Sequence, residues 1–385
     1  MKKWIIIIIF ILMPIYVSAT TPGVGFYKNS PTLNNDHKWR IAYLEGGEYF
    51  QYPEVLKGIV EWLMDNDWIE KKIIPEKIKT SKQVWSWLST GVESDYITFI
   101  DNAFWSSEWL ERIRQQNRSK ILWRIHNVKD IDLFIANGTW AGQDLANNLH
   151  KIPVVVCSAS DPVASRIILS VEDSGYDHVH ARVDPYKYQN QLRLFHRVVN
   201  FKRLGIVYVD TLSGKSYAAL PDVYKMSEEL NFRVITCTIP EDILADESAL
   251  LTERCHEKLI SRGIDALYLT TQIGVTLKSM SLILKPLYKE KIPIFSQTGT
   301  KEVKYGCTLS MSQANYRYES NFYASVIARI FNGEKPRNIR QIFEEPQKIV
   351  VNNEVLKMMN LVIPNDIKQL IDEEYDSIFL FNESE

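Results

Sequence analysis

Cysteine is scarce in this chain of 385 residues: there are four, Cys157, Cys237, Cys255 and Cys307. None forms a CxxC pair, and none has a histidine at metal-ligand spacing. This excludes a small disulfide-framed scaffold and a zinc ribbon, and no metal or cofactor is expected. One disulfide and four buried thiols both remain open, and the spacing does not say which cysteines would pair. Hydrolase signatures are missing as well, with no GxSxG elbow, no HExxH and no Cys/His signature, so no enzymatic activity is expected. Basic residues are not in excess: 45 Lys and Arg stand against 47 Asp and Glu, for a formal charge of −2. A chain so balanced has no global footprint for nucleic acid. Past the N-terminus, no stretch is long and apolar enough to span a bilayer.

The N-terminus itself is different. Lys2 and Lys3 precede the apolar run Trp4–Met13, and Val17-Ser18-Ala19 follows. A basic start, an apolar middle and a small-x-small end predict a secretory signal peptide over 1–19, cleaved after Ala19. A retained anchor fits less well, because Pro14 interrupts the run and it falls short of the roughly 20 apolar residues a span requires. No cysteine lies near the cleavage site to carry a lipid. The expectation is release into a periplasm. The mature chain exceeds the size at which a single core keeps growing, so two lobes are expected.

After an irregular stretch over 20–36, short apolar strands alternate with amphipathic helices. Strands are read at Trp39–Leu44, Tyr96–Ile100, Asp132–Ala136, Ile152–Cys157, Arg203–Val209, Phe232–Cys237, Asp265–Leu269 and Ile292–Phe295. Helices are read from Pro53, through Trp109, from Trp140, over Ser216–Leu230, Ser248–Arg262 and Val275–Lys289. The basic run Arg193–Arg203 has the apolar spacing of an amphipathic helix. Such alternation means parallel sheets covered on both faces. About eight β-α units are more than one doubly wound sheet usually holds. The expected fold is therefore α/β, with two doubly wound parallel-sheet lobes joined by a three-stranded hinge. Crossovers are expected at 173–191, at 307–315 and after Gly333. This gives a first lobe of 37–160 plus 312–335, a second of 161–311 plus 336–368, and a polar C-terminal tail over 369–385.

Four stretches carry a family resemblance: Tyr52-Pro53-Glu54-Val55-Leu56-Lys57-Gly58, Asp132–Ala141 with its Asn137-Gly138-Thr139 turn, Ile152–Val163 ending in Ser160-Asp161-Pro162-Val163, and Ile330–Pro336 with Lys348–Asn352 and Leu361–Pro364. They resemble the type 1 periplasmic-binding fold, and more narrowly the ABC-transporter substrate-binding family that includes tryptophan/tyrosine-type binding proteins. The resemblance covers about 39–368. It implies an exported solute-binding protein that closes on a small ligand and delivers it to an ABC permease. A ligand-sensing module serving a membrane kinase is the alternative the same fold allows. The chain departs from the family at its ligand-facing loops. Tyr52 stands where a His is usual, Tyr176–Val179 replaces Asn-Val-Thr-Gly, Thr271-Gln272 replaces Asp-Asn, and Ser296-Gln297 replaces an acidic loop. A helix-like segment, Glu70–Glu93, is inserted.

Ligands of parallel sheets bind beyond the carboxyl ends of the strands. The loops at those ends nominate Glu45, Tyr49, Phe50, Gln51, Thr139, Trp140, Ala141, Ser158, Ser160 and Asp161 in the first lobe. The second nominates Ser213, Ser216, Tyr217, Thr271, Gln272 and Gln297, and the hinge Asn315. Helix starts after Gly138 and Ser213 offer free N–H groups to an anion, and the aromatics Tyr49, Phe50, Trp140, Tyr217 and Tyr316 offer stacking surfaces. Together they imply a small ligand, an amino acid or another carboxylate with an apolar part. Asp161, ahead of Pro162, reads equally as a helix cap. Leu212–Ser216 lacks the spacing of a phosphate loop. His178 and His180 form an HxH pair without a third ligand fixed by spacing, so they read as part of a solvated crossover.

Overall fold

A computed structural model describes residues 30–381 except Ala314; the signal peptide expected over 1–19 lies outside them. The chain begins its first sheet with β1 (Trp39–Glu45), whose last five residues are all buried. Helix α1 (Gln51–Asp65) follows, and its apolar face carries Val55, Leu56, Ile59, Val60 and Leu63 into the core. The inserted segment contains α2 (Ser81–Gly91), opened by a capping box in which Thr80 accepts from the Gln83 N–H. It packs Val84, Trp85 and Leu88 into the same core. Then come β2 (Ile97–Ser106), α3 (Glu111–Asn127), β3 (Leu133–Asn137), the short α4 (Thr139–Leu145), β4 (Val154–Cys157) and β5 (Val179–Ala181). All five strands run parallel, in the order β2-β1-β3-β4-β5.

Helix α5 (Lys187–Val199) leads into the second sheet, and its apolar face packs on that sheet through Leu192, Leu194 and Phe195. The second lobe contains β6 (Arg203–Val209), α6 (Leu212–Tyr217), α7 (Leu220–Glu229), β7 (Arg233–Ile239), α8 (Ala245–Ser261), β8 (Ala266–Leu269), α9 (Met280–Lys289), β9 (Ile294–Ser296), α10 (Thr300–Lys304) and β10 (Leu309–Gln313). Helix α11 (Tyr316–Phe331) returns to the first lobe and packs along α1, where the Ser320 hydroxyl donates to the Val55 carbonyl. The chain then crosses back to β11 (Gln347–Asn352), α12 (Asn353–Met358), α13 (Asn365–Lys368) and β12 (Ile371–Tyr375). The seven strands lie in the order β12-β11-β10-β9-β8-β6-β7, parallel except for β10 against β11.

Several expectations need correction. The segment 161–181 belongs with the first sheet, because Val179–Ala181 pairs with Val154–Val156. The return crossing falls near 343–346, since Val183 and Ile342 still form a bridge on the first-lobe side. Residues 371–375 are an edge strand rather than a polar tail: they alternate half-buried with exposed, and pairing with β11 satisfies their backbone. The helix read over Ser216–Leu230 is two helices, broken where Ala219 turns left-handed at φ 49° ahead of Pro221. The helix read through Trp109 begins only at Glu111, after Glu108 and Trp109 adopt φ 52° and 57°. A disulfide joins Cys237 on β7 to Cys255 on α8, while Cys157 and Cys307 are free and buried. Among the described residues, no helix is long and apolar enough to cross a membrane.

Candidate functional site

The carboxyl ends of the strands in the two sheets face one another across a cleft. It encloses a cavity of about 510 Å³, within the size range of small-molecule sites. Of the nominated residues, Tyr49, Phe50, Gln51, Thr139, Trp140, Ser158, Ser160, Tyr217, Thr271, Gln272 and Gln297 line it.

The first-lobe wall is aromatic. Phe50 packs on Tyr49 (4.8 Å between centroids), Tyr49 on Tyr52 (5.4 Å), Tyr52 on Trp109 (6.5 Å) and Trp109 on Trp140 (5.7 Å). The Gly46-Gly47 pair makes this possible. A Cβ at Gly47 would lie 2.5 Å from Cδ1 of Trp109, and one at Gly46 2.7 Å from Cζ3. The bare backbone thus lets the indole fold over it, held by Trp109 N–H to Gly46 O (2.9 Å) and Nε1–H to Glu48 O (3.0 Å). Gly138, at φ 89°, plays the same part under Tyr52, whose hydroxyl would sit 1.9 Å from an added Cβ. The Arg114 guanidinium caps the far end, 4.5 Å above the Trp140 ring, while hydrogen-bonding Asp144.

The unpartnered polar atoms of the cavity come from both lobes. Thr139 Oγ1, Ser158 Oγ and both amide atoms of Gln272 are buried without a protein partner. A buried polar group left unpaired costs roughly 1–3 kcal/mol, so such atoms gathered on one cavity mark where a ligand or ordered water completes the bonding. Gln297 is oriented through its Oε1, which accepts from the Thr271 N–H at 2.8 Å. Glu302, 5 % exposed, accepts from Thr298 Oγ1 (2.9 Å) and Ser296 Oγ (3.4 Å), and burial pushes its pKa up. At the hinge end, Arg182 pairs with Glu319 (3.6 Å) and with Glu345, while burial and the Arg182 charge push the pKa of neighbouring Lys187 down.

Six nominated residues stand off the cavity. Glu45 is buried at the end of β1, where the Tyr43 hydroxyl donates to it (3.1 Å) and burial raises its pKa to about 7. Ala141 packs in the core beneath the first sheet. Asp161 caps a turn, accepting from the Val163 and Ala164 N–H groups at 3.1 and 2.9 Å. Ser213 donates to Gln143 Oε1 (3.1 Å) and Ser216 to the Asp161 carbonyl (3.2 Å), so both tie α6 to the first lobe. Asn315 is exposed and caps α11 by accepting from the Arg317 N–H (2.9 Å). Sequence reasoning missed Trp109, Arg182, Lys187, Tyr188 and Glu302, all of which line the cavity. His178 and His180 are buried rather than part of a solvated crossover: His178 meets His150 edge-on (4.9 Å), and His180 bonds the Arg340 carbonyl (3.2 Å). Among the described residues, no group of three or more His, Cys, Asp or Glu could hold a metal ion.

The lobes touch on both sides of the cavity. Besides the two serine contacts, the Glu111 N–H donates to Asp242 Oδ1 (3.3 Å), and Lys301 Nζ lies 4.9 Å from the Phe50 ring centre. The geometry is that of two bodies brought together over an enclosed space.

Comparison with known proteins agrees with this architecture. The family model described as "ABC transporter substrate binding protein" matches residues 111–374, more than half of the chain. A "Tyrosine-binding protein" of Clostridioides difficile is 22 % identical over 234 residues, 60 % of this chain and 63 % of that relative. The chain thus spans less than two thirds of that relative's length. The ABC domain in complex with L-Trp from Streptococcus pneumonia superposes with a TM-score of 0.64 at 18 % identity, covering 87 % of this chain and 99 % of the other. The ligand-free, open form of a substrate-binding protein with adhesive properties from Clostridium difficile superposes at 0.57 with 20 % identity, covering 88 % and 100 %. At such identities the superpositions establish the fold, two type 1 periplasmic-binding lobes.

Proposed function

Since the chain belongs to the ABC transporter substrate-binding protein family, we propose that it is an exported solute-binding protein that closes its two lobes around one small ligand and delivers it to an ABC permease. The observation that carries this reading is the cavity between the lobes, walled by packed aromatic rings of the first lobe and lined by unpartnered buried polar atoms from both lobes. A population shift between open and closed lobes follows if the ligand bonds to both sides only when they meet. The aromatic wall favours a ligand with a flat apolar part. Thr139 and Ser158 offer hydroxyl donors to a carboxylate. The tyrosine-binding relative and the L-Trp-bound neighbour support the same class of ligand. The N-terminal pattern through Ala19 and the Cys237–Cys255 disulfide fit an oxidising, exported location. A binding role without turnover accords with the family.

Mass spectrometry of small molecules carried through purification tests this most directly. A single stoichiometric compound is expected, and adding it back raises the melting temperature. If no compound co-purifies and no member of a broad metabolite panel shifts melting, the solute-binding reading fails.

A further inference from the structure

Charge inside the cavity is unevenly satisfied. Of its three bases, Arg182 alone forms a described ion pair, and the two lysines lie near aromatic rings. Arg182 lies between Glu319 and Glu345, Lys187 Nζ is 5.6 Å from the Tyr188 ring centre, and Lys301 Nζ is 4.9 Å from that of Phe50. Glu302 is different. It is nearly sealed from solvent and receives two hydroxyl donors, yet no basic side chain comes within salt-bridge distance of it among the described ion pairs. An ionised carboxylate can accept about four hydrogen bonds, and a buried one without a counter-charge is costly. Its surroundings include Tyr49 and Tyr316 from across the cleft, both close enough to feel its charge. A carboxylate beside aromatic rings is a setting for a cation. The two loops where the resembling family carries acids, here Thr271-Gln272 and Ser296-Gln297, carry none in this chain. The acid instead comes from α10, within hydrogen-bonding reach of Ser296.

We infer that Glu302 is the specificity-determining anchor for an ammonium group, so the ligand is an amine-bearing compound whose apolar part lies on the Tyr49–Trp140 wall. This rests on the solute-binding reading and sharpens it. Ser296 and Thr298 fix the carboxylate by donating to it, which leaves acceptor sites for the ligand N–H groups. The ammonium supplies a counter-charge in direct contact with the carboxylate, where Lys301 acts only at longer range, and a neutral or purely anionic analogue would leave Glu302 buried without a contacting cation.

Titration calorimetry with L-tryptophan, tryptamine and indolepropionate separates the contributions, because the three share a ring system and differ in the amine and the carboxylate. The wild-type protein should bind at least one of the two amines, and bind indolepropionate about 100-fold more weakly than the better of them. In Glu302→Gln the amine affinity should fall by roughly 10- to 100-fold with indolepropionate unchanged, and Glu302→Asp should recover part of the loss. Indolepropionate binding as tightly as the amines, amine affinity unchanged in Glu302→Gln, or no binding of any of the three overturns the inference. If Glu302→Gln does not fold, the wild-type comparison alone decides. The solute-binding reading is judged separately by the compound that co-purifies, so the two can fail independently.

Discussion

Replacing Glu45 by glutamine should stabilise the protein at neutral pH, with a gain that disappears in acid. The carboxyl is 3 % exposed at the end of β1, beside Tyr43, which in turn accepts from Asn137 Nδ2 at 3.0 Å. Burial is the largest influence on it and lifts its pKa from 4.5 to about 7, against hydrogen bonds from Ser81, Tyr43 and Ser106 that act the other way. Below pH 4.5 the group is protonated in both folded and unfolded chains and stability is unaffected. As pH rises further, the unfolded chain releases its proton while the folded one retains it. Stability therefore falls until pH passes about 7 and is level above that. At about 1.36 kcal/mol per pKa unit, the span corresponds to roughly 3 kcal/mol. Glutamine keeps an acceptor for Tyr43 and nearly the same shape but cannot ionise. Guanidinium unfolding followed by tryptophan fluorescence reports on this lobe, where Trp68 and Trp85 are fully buried. The expected result is near-equal stability of the two proteins at acid pH and a variant more stable by roughly 3 kcal/mol at about pH 8. A difference that does not change with pH, or a variant less stable at about pH 8, refutes the reasoning.

Other consequences can be checked with the same equipment. His150, His180 and His256 are each held neutral by burial, with pKa values lowered from 6.5 to about 4. Stability should thus fall as pH drops from about 6.5 toward 4, and replacing the buried His256 by glutamine should flatten that slope in an unfolding series against pH. Removing both Cys237 and Cys255 frees a loop with a sequence separation of 18. It should cost on the order of 3 kcal/mol in guanidinium unfolding while ligand affinity stays unchanged, since neither cysteine touches the cavity. Gly138→Ala forces a Cβ against the Tyr52 hydroxyl at φ 89°; a lower melting temperature and weakened ligand binding together are expected. Trp140→Ala removes the end of the aromatic wall and the surface under Arg114. Calorimetry should read an affinity loss of roughly 3 kcal/mol.

Much of the architecture is legible because it follows from periodicity. The continuous apolar runs at Ile41–Leu44, Leu204–Val207 and Ala266–Leu269 read as strands covered on both faces, and all three are interior strands of the two sheets. The cavity loops follow from the strand-end rule alone. What escaped depends on distant partners. Trp109 sits in a helical pattern but is drawn out of the helix by the bare backbone of Gly46 and Gly47, contacts that lie more than sixty residues away. Arg182 and Lys187 fall in a crossover, where no repeating pattern marks a side chain as inward-facing. Glu302 looks like an ordinary exposed charge between Lys301 and Lys304, and only the hydroxyls of Ser296 and Thr298 turn it inward. The edge strand β12 reads as a polar tail because its centre is Asp372-Glu373-Glu374, and its apolar contacts are confined to its two ends, Ile371 and Tyr375. The Cys237–Cys255 pairing depends on a strand packing against the helix that follows it, which spacing does not encode.

The central claim is that the lobes close on a ligand, and small-angle scattering tests it in solution. Protein freed of co-purified compounds by unfolding and refolding should give a larger radius of gyration than the same protein after its ligand is restored. The closed curve should match the arrangement in which Ser213 meets Gln143 and Ser216 meets Asp161. Identical curves with and without a ligand that calorimetry proves to be bound would contradict closure as the means of capture.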